Sequence, residues 1–76
     1  MNAMFQKVVD ILKNYTDVAE KDIRPESLLV EDLGLNSVSY FSIVFDLEET
    51  LGVEISDDAV SGIHTVGDMV KYLENA

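Results

Sequence analysis

Ser37 is the residue of this sequence whose side chain has the clearest potential for a chemical role. It follows Leu33-Gly34-Leu35-Asn36, at what looks like the first exposed position of an apolar helix. A hydroxyl at a helix N-terminus lies beside outward-pointing backbone N–H groups and the positive end of the helix dipole, which favour a phosphate. Ser37 could therefore carry a phosphodiester. On the local pattern alone, an ordinary first-turn serine is the simpler interpretation, because such serines are common.

Other residues give little support for catalysis or for a metal site. The chain has one histidine, His64, and no cysteine. Nothing in the spacing predicts that His64 reaches Ser37 to form a Ser-His-Asp device. Asp57 and Asp58 lack the glycine-centred loop of an EF-hand, and one imidazole without thiols makes a poor zinc site. The sequence therefore predicts a domain that is not an enzyme and holds no metal.

The charge of the chain is strongly negative and unevenly spread. The 76 residues carry a net charge of −10, and 47% of them are hydrophobic, which argues against disorder. Residues 1–30 contribute −1 and residues 31–76 contribute −9, with Lys71 as the one basic residue of the second part. Such a surface repels nucleic acid and should steer the chain toward basic patches on partner proteins.

Length and hydropathy limit the class of protein. A chain of 76 residues predicts a single domain over residues 1–76. No apolar run approaches the roughly 20 residues that a membrane-spanning helix needs. The N-terminus lacks the basic-then-apolar pattern of a secretory signal. We therefore expect a monomeric, cytoplasmic protein without membrane insertion and without a nucleic acid partner.

Apolar periodicity predicts an all-α fold, a four-helix bundle with three longer helices, one short helix and a long first loop. A first helix is expected over residues 2–15, capped by Asn2, because apolar residues repeat at helical spacing at Phe5, Val8, Val9 and Leu12. A loop of about 20 residues follows, in which Pro25 blocks a continuous helix. We expect this loop to be pinned across the core, with a short turn near residues 29–33. Its apolar anchors are Val18, Ile23, Leu28, Leu29, Val30, Leu33 and Leu35.

Capping residues predict the remaining three helices. The caps are Asn36 before a helix over Ser37–Leu51, Ser56 before a short helix over Asp57–Ser61, and Thr65 before a last helix that starts at Val66. Gly52 should end the second helix, and Asp68 stands in capping-box spacing to Thr65. The helix dipole disfavours acidic residues near the C-terminal end of a helix, yet acids stand toward the end of the second helix. This suggests that they have a use outside that helix.

Residues 31–74 resemble the acyl carrier protein family. The family's hallmark, a leucine-glycine-x-aspartate-serine-leucine segment that opens its second helix, reads Leu33-Gly34-Leu35-Asn36-Ser37-Val38 here. Asp46-Leu47-Glu48-Glu49 and Gly52-Val53-Glu54-Ile55 look like the family's acidic helix end and the loop after it. His64-Thr65-Val66-Gly67-Asp68 looks like the opening of its last helix. The whole chain fits the family in length, acidity and order of helices.

The resemblance implies a carrier and not a catalyst. A phosphopantetheinyl transferase would place 4′-phosphopantetheine from coenzyme A on Ser37, beside the helix cap Asn36, and the thiol of this arm would hold a cargo as a thioester. The implied function is delivery of acyl or related intermediates to the loading and downstream enzymes of fatty acid, polyketide or related biosynthesis. An aminoacyl or peptidyl carrier and an unmodified acidic docking module are the alternatives.

The chain departs from the family pattern at the start of its second helix. Asn36 replaces the usual aspartate, which preserves a helix cap but removes a charge offered to a basic transferase. Acids are common in the family where this chain has Ser39 and Ser42, and bulkier residues than usual stand at Tyr40, Phe41 and Phe45. We therefore expect a specialised carrier whose cargo is an unusual acyl group, a polyketide unit or an amino acid.

Side chains of the second helix and the following segments give the remaining site predictions. Phe41 is expected to pack in the core, as apolar residues of a helical stripe usually do, and would there reduce the space for an acyl chain. Partner contact is predicted for Val38, Phe45, Asp46, Glu48 and Glu49. A region of the core where a cargo could nest is predicted to be lined by Phe41, Val44, Leu47, Ile55, Val60, Ile63 and Val66.

Overall fold

Four α-helices and one 3₁₀ turn make up the helical structure of residues 3–75, the part of the chain that the computed structural model describes. They are α1 (Ala3–Leu12), the 3₁₀ turn (Glu20–Asp22), α2 (Ser37–Leu51), α3 (Asp57–Ser61) and α4 (Val66–Glu74). The predicted all-α fold, with three longer helices, one short helix and a long first loop, is confirmed. The predicted bounds of α2 and α3 and the predicted start of α4 are confirmed as well.

The first helix is shorter than the sequence predicts. It was expected to reach residue 15 but ends at Leu12, so that boundary is wrong. The backbone then tightens, since the Asn14 N–H donates to the Ile11 carbonyl at 3.1 Å and the Tyr15 N–H to the Leu12 carbonyl at 2.9 Å. Residues 14–16 are Asn, Tyr and Thr, which have weak helix propensity and do little to favour another α-helical turn. The predicted cap Asn2 lies outside the described residues.

The core forms where α1 packs against α2 and α4. Each of these helices turns one apolar stripe inward, as the helical spacing predicts. The buried members are Val8, Val9 and Leu12 in α1, Ile43, Val44 and Leu47 in α2, and Val66, Met69, Val70 and Leu73 in α4. Burial of these stripes supplies the main driving force that holds the helices together.

The long loop between α1 and α2 adds its own side chains to this core. Its buried anchors are Ile23, Leu29, Leu33 and Leu35, and Val18 and Leu28 are partly buried. The prediction that Val30 is also an anchor is wrong, because 56% of its surface is exposed. Residues 29–33 form the expected turn, and within this turn the chain buries Leu29 and leaves its neighbour Val30 on the outside.

Backbone hydrogen bonds pin this loop to the segment that starts α4. The Leu29 N–H donates to the His64 carbonyl at 2.9 Å, and the Val66 N–H donates to the Ser27 carbonyl at 3.0 Å. Between them, Leu28 and Thr65 form an isolated antiparallel bridge. The expected pinning of the loop across the core is thus confirmed. As a result, residues 27–29 of the loop, which precede the segment leading into α2, are held in place against the start of α4.

The predicted caps of α2, α3 and α4 are present. The Asn36 side chain accepts a hydrogen bond from the Ser39 N–H at 2.9 Å, which fixes the start of α2. Gly52 ends α2 with a φ of 66°, a left-handed conformation that glycine adopts without steric cost. The other two caps are the Ser56 side chain before α3 and the Thr65–Asp68 capping box at α4.

Candidate functional site

Ser37 is held at the surface by the residues just before it. It is the first residue of α2, and its side chain is exposed. Leu33 and Leu35 are buried and anchor the preceding backbone in the core. Gly34, between them, has a φ of 70°, which residues with a side chain adopt only at a cost. Two buried leucines and a capped helix therefore fix the position of the Ser37 hydroxyl.

The start of α2 is electrostatically suited to an anion. The first N–H groups of a helix have no acceptor within that helix, and the helix dipole is positive at this end. Asn36 accepts a bond from one of these groups, the Ser39 N–H. The first turn of α2 contains no acidic residue, so no carboxylate in this turn repels a phosphate on Ser37. The residues present fit a phosphodiester attached to Ser37.

An open groove lies beside Ser37. It has a volume of about 290 Å³ and is lined by Ser37, Tyr40, Phe41, Val60, Ser61 and His64. A smaller hollow of about 210 Å³ shares three of these residues, Phe41, Val60 and Ser61, and is also lined by Asp57. Both hollows take their walls mainly from α2 and α3. A group attached to Ser37 would therefore have an apolar surface next to it.

Phe41 points outward, so the prediction that it packs in the core is wrong. Its side chain is 65% exposed. The inward stripe of α2 follows a different set of helical positions, Tyr40, Ile43, Val44, Leu47 and Leu51. Phe41 shares the opposite positions with Val38 and Phe45, which are 76% and 59% exposed. We call Val38, Phe41 and Phe45 the outer stripe, and contact of Val38 and Phe45 with a partner stays a prediction.

The predicted cargo-lining residues divide between the groove and the core. Phe41 and Val60 line the groove beside Ser37. The others are Val44, Leu47, Ile55, Ile63 and Val66, which are buried in the hydrophobic cluster shared with α1 and α4. Interiors are close-packed, so a cargo could lie among these five only if their packing opened. Their role toward a cargo stays a prediction.

The acids near the end of α2 bind other parts of the chain. The Asp46 carboxylate accepts a hydrogen bond from the Tyr15 hydroxyl, which ties α2 to the turn after α1 and raises the pKa of Tyr15. Glu48 Oε2 accepts a bond from the Ile55 N–H at 2.8 Å and holds the loop after α2. Glu49 is exposed. Asp46 and Glu48 therefore have structural uses outside α2, and partner contact by the three acids stays a prediction.

His64 lines the same groove as Ser37, a proximity that the spacing along the chain did not predict. It is exposed and lies in the segment just before α4. The nearby Asp68 carboxylate accepts backbone N–H bonds from His64 at 3.1 Å and from Thr65 at 3.2 Å. These bonds hold the pKa of Asp68 below its ordinary value. Asp68 thus serves the cap of α4, which is a different task from orienting an imidazole for catalysis.

Tyr40 is a residue of this site that the sequence analysis missed. Its hydroxyl donates to the Ile63 carbonyl at 2.9 Å and also lies 3.3 Å from the Val60 carbonyl. Burial raises the pKa of Tyr40, and the charge of Asp68 raises it further, so the hydroxyl remains a donor at neutral pH. The signal available in the sequence was the place of Tyr40 on the inward stripe, where a buried phenol needs a polar partner.

Neither a metal centre nor a membrane span is found in residues 3–75. No group of three or more His, Cys, Asp or Glu side chains in this range could hold a metal ion. No helix of the same range has both the length and the apolar character to cross a bilayer.

Comparison with known proteins points to one family. The family model described as "Phosphopantetheine attachment site" matches residues 6–73. An acyl carrier protein of Sulfurovum sp. (strain NBC37-1) is 37% identical over 73 residues, which cover 96% of this chain and 97% of that protein. The solved structure of the acyl carrier protein from Enterococcus faecalis superposes with a TM-score of 0.82 at 33% identity, covering 95% of this chain and 91% of that one.

Proposed function

This chain belongs to the acyl carrier protein family, and on that premise we propose that Ser37 is the residue that carries its 4′-phosphopantetheine arm. Members of the family are carriers and not enzymes, so the prediction that the chain is not an enzyme is confirmed. The matched family also confirms 4′-phosphopantetheine as the cofactor. The observation that supports Ser37 is its exposure at the start of α2, where no first-turn acid opposes a phosphate.

Ser37 and its neighbour Asn36 have different proposed roles in the carrier. A phosphopantetheinyl transferase would attach the arm to the Ser37 oxygen by breaking the diphosphate bond of coenzyme A, with loss of the hydroxyl proton and release of adenosine 3′,5′-bisphosphate. The bound arm supplies a thiol that holds a cargo as a thioester. Asn36 caps α2 and thereby keeps Ser37 at the positive end of the helix, where a phosphodiester is stabilised. Because the cargo stays covalently attached, its effective concentration is high at any enzyme to which the chain docks.

Partner enzymes are proposed to dock on α2. The outer stripe offers them an apolar contact, and the exposed Glu49 and the excess of acids over residues 31–76 offer a negative rim. Apolar anchors supply affinity, and charge complementarity with basic patches speeds the encounter. An interface of this kind can form and separate quickly, as a carrier that visits several enzymes requires.

The pathway is proposed to be a specialised one within fatty acid, polyketide or related biosynthesis. Fewer acids at the start of α2 than the family pattern has, and two phenylalanines on the outer stripe, favour dedicated partners. The proposed cargo is an acyl group or a related intermediate, with an aminoacyl or peptidyl group as the alternative. We propose that the chain acts as a monomer in the cytoplasm.

Intact mass spectrometry tests the proposal. The chain is incubated with coenzyme A and a phosphopantetheinyl transferase of broad specificity, beside a Ser37→Ala variant. We expect the mass of one phosphopantetheine to be added to the wild-type chain and none to the variant. A Ser61→Ala variant is a matched control, because Ser61 lines the same groove and is exposed. It should be modified like the wild type.

Two results would contradict the assignment. Addition to the Ser37→Ala chain would place the arm on another residue. No addition to any chain, with several transferases tried and the helices intact by circular dichroism, would favour an unmodified docking module. The observation that favours this second function is Asn36, which stands where the family pattern has aspartate.

Replacing Asn36 with aspartate should speed modification of Ser37. Both residues cap helices equally well, so helix content should be unchanged. The new carboxylate restores a charge that a basic transferase can attract, and we expect a rise in kcat/KM of a few fold, because a single exposed charge is worth less than about 1 kcal/mol. Asn75→Asp is the control, since it adds the same charge at the far end of α4. Equal rates for all three chains would show that the missing charge at residue 36 has no effect.

A further inference from the structure

Tyr40 joins the two walls of the groove beside Ser37. It belongs to α2, and its hydroxyl reaches the carbonyl of Ile63, in the segment between α3 and α4, at 2.9 Å. The Val60 carbonyl, within α3, lies 3.3 Å from the same hydroxyl. Two backbone acceptors, one within α3 and one just after it, therefore meet one side chain of α2. Separating α2 from α3 would leave these partly buried polar groups without their partner, which is costly.

The same side chain also lies between the groove and the core. Tyr40 lines the groove together with Ser37, and it packs against the hydrophobic core cluster. Further along its stripe of α2 lie Val44 and Leu47, which are 8% and 0% exposed. A cargo that moved from the groove along this face of α2 toward those two side chains would have to displace the Tyr40 ring.

The groove beside Ser37 is small for a ligand site. Its volume of about 290 Å³ is slightly below the roughly 300–1,000 Å³ of ligand pockets, and it is open to solvent. Phe41 and Val60 provide its apolar surface. A short or flat cargo can rest on them, but a long chain would extend beyond them into water.

We propose that Tyr40 determines where the cargo lies, because its hydrogen bonds across the groove close the route into the core and keep the cargo on the surface formed by Phe41 and Val60. This inference rests on the proposed function of Ser37. It makes Tyr40 a specificity-determining residue, which favours cargoes that a partner enzyme can reach without first extracting them from the protein.

Methyl NMR of the loaded chain tests the inference. The transferase attaches phosphopantetheine from coenzyme A or octanoyl-phosphopantetheine from octanoyl-coenzyme A, and intact mass confirms each attachment before spectra are recorded. For each chain, the methyl shifts without the octanoyl group are subtracted from those with it, so changes caused by the substitution alone cancel. In the wild type we expect the octanoyl group to shift the Val60 methyls and to leave those of Val44 and Leu47 in place.

Two variants open the route in different ways. Tyr40→Ala removes the ring, and Tyr40→Phe keeps the ring but removes the hydroxyl, so it remains informative if the alanine variant fails to fold. In both we expect octanoyl-dependent shifts of the Val44 and Leu47 methyls. Tyr72→Phe is the matched control, because it removes a hydroxyl that lies 3.3 Å from a different backbone carbonyl, that of Glu54. It should behave like the wild type.

The results separate this inference from the function on which it rests. Failure of the mass step contradicts attachment at Ser37. Successful attachment with wild-type shifts at Leu47 as large as those at Val60 overturns the closed route. Unshifted Val44 and Leu47 methyls in the folded Tyr40 variants also overturn it, because some other contact would then exclude the cargo.

Discussion

Replacing Leu47 with alanine should lower the free energy of unfolding by roughly 2–5 kcal/mol, the range for buried leucines. Leu47 lies on the inward stripe of α2, is fully buried, and belongs to the cluster that α2 shares with α1 and α4. Its removal loses apolar burial and leaves a cavity in the centre of a small core. Small domains have only about 5–15 kcal/mol of stability in total, so the variant should be close to unfolding at 37 °C.

Urea denaturation followed by circular dichroism measures this effect. The matched control is Leu51→Ala, the same substitution one turn later on α2 at a side chain that is only partly buried. We expect a clearly smaller loss for it. Equal losses for Leu47→Ala and Leu51→Ala would contradict the position of the core described above.

The second large effect is expected at the outer stripe. Phe45→Ala should reduce kcat/KM for modification of Ser37 by about tenfold, which corresponds to about 1.4 kcal/mol, because exposed aromatic side chains are common anchors at interfaces. The unfolding free energy should change little, since 59% of the Phe45 surface is already in water. The rate of modification is followed by intact mass over time, with the concentration of this chain kept below its KM for the transferase.

Val30→Ala is the control for this prediction. Val30 is an exposed hydrophobic residue like Phe45, with 56% of its surface in water, but it belongs to the long loop and not to α2. Its removal should leave the rate unchanged. A Phe45→Ala chain that is modified as fast as the wild type would show that the transferase does not use the outer stripe.

Helix boundaries were predictable where a side chain itself defines them. Asn36, Ser56 and Thr65 each accept a bond from the backbone N–H three residues on, and Gly52 takes the left-handed conformation that ends α2. Such signals act within one turn, so a sequence shows them directly. The end of α1 has no such residue, and the prediction there was too long by three positions.

The orientation of Phe41 could have been predicted from spacing within α2 alone. Tyr40, Val44 and Leu47 form one stripe. Around the helix axis, Phe41 lies about 100° from Tyr40 and about 120° from Leu47, which places it off the centre of their face. The wrong prediction came from assigning Phe41 to an apolar helical stripe without asking which face of α2 that stripe occupies. By contrast, the groove that brings His64 beside Ser37 depends on how α3 and the following turn pack against α2. No local pattern contains that information, and the hydrogen bond from Tyr40 to the Ile63 carbonyl was hidden for the same reason.

Attachment of the arm to Ser37 is the central claim, and fragmentation of the modified wild-type chain tests it most directly. The chain is loaded by the transferase and digested, and the peptide that contains Ser37, Ser39 and Ser42 is fragmented in a mass spectrometer. We predict that the phosphopantetheine mass, or the loss of it that marks its site, falls on Ser37. Assignment to Ser39, to Ser42 or to a residue of another peptide would contradict the claim.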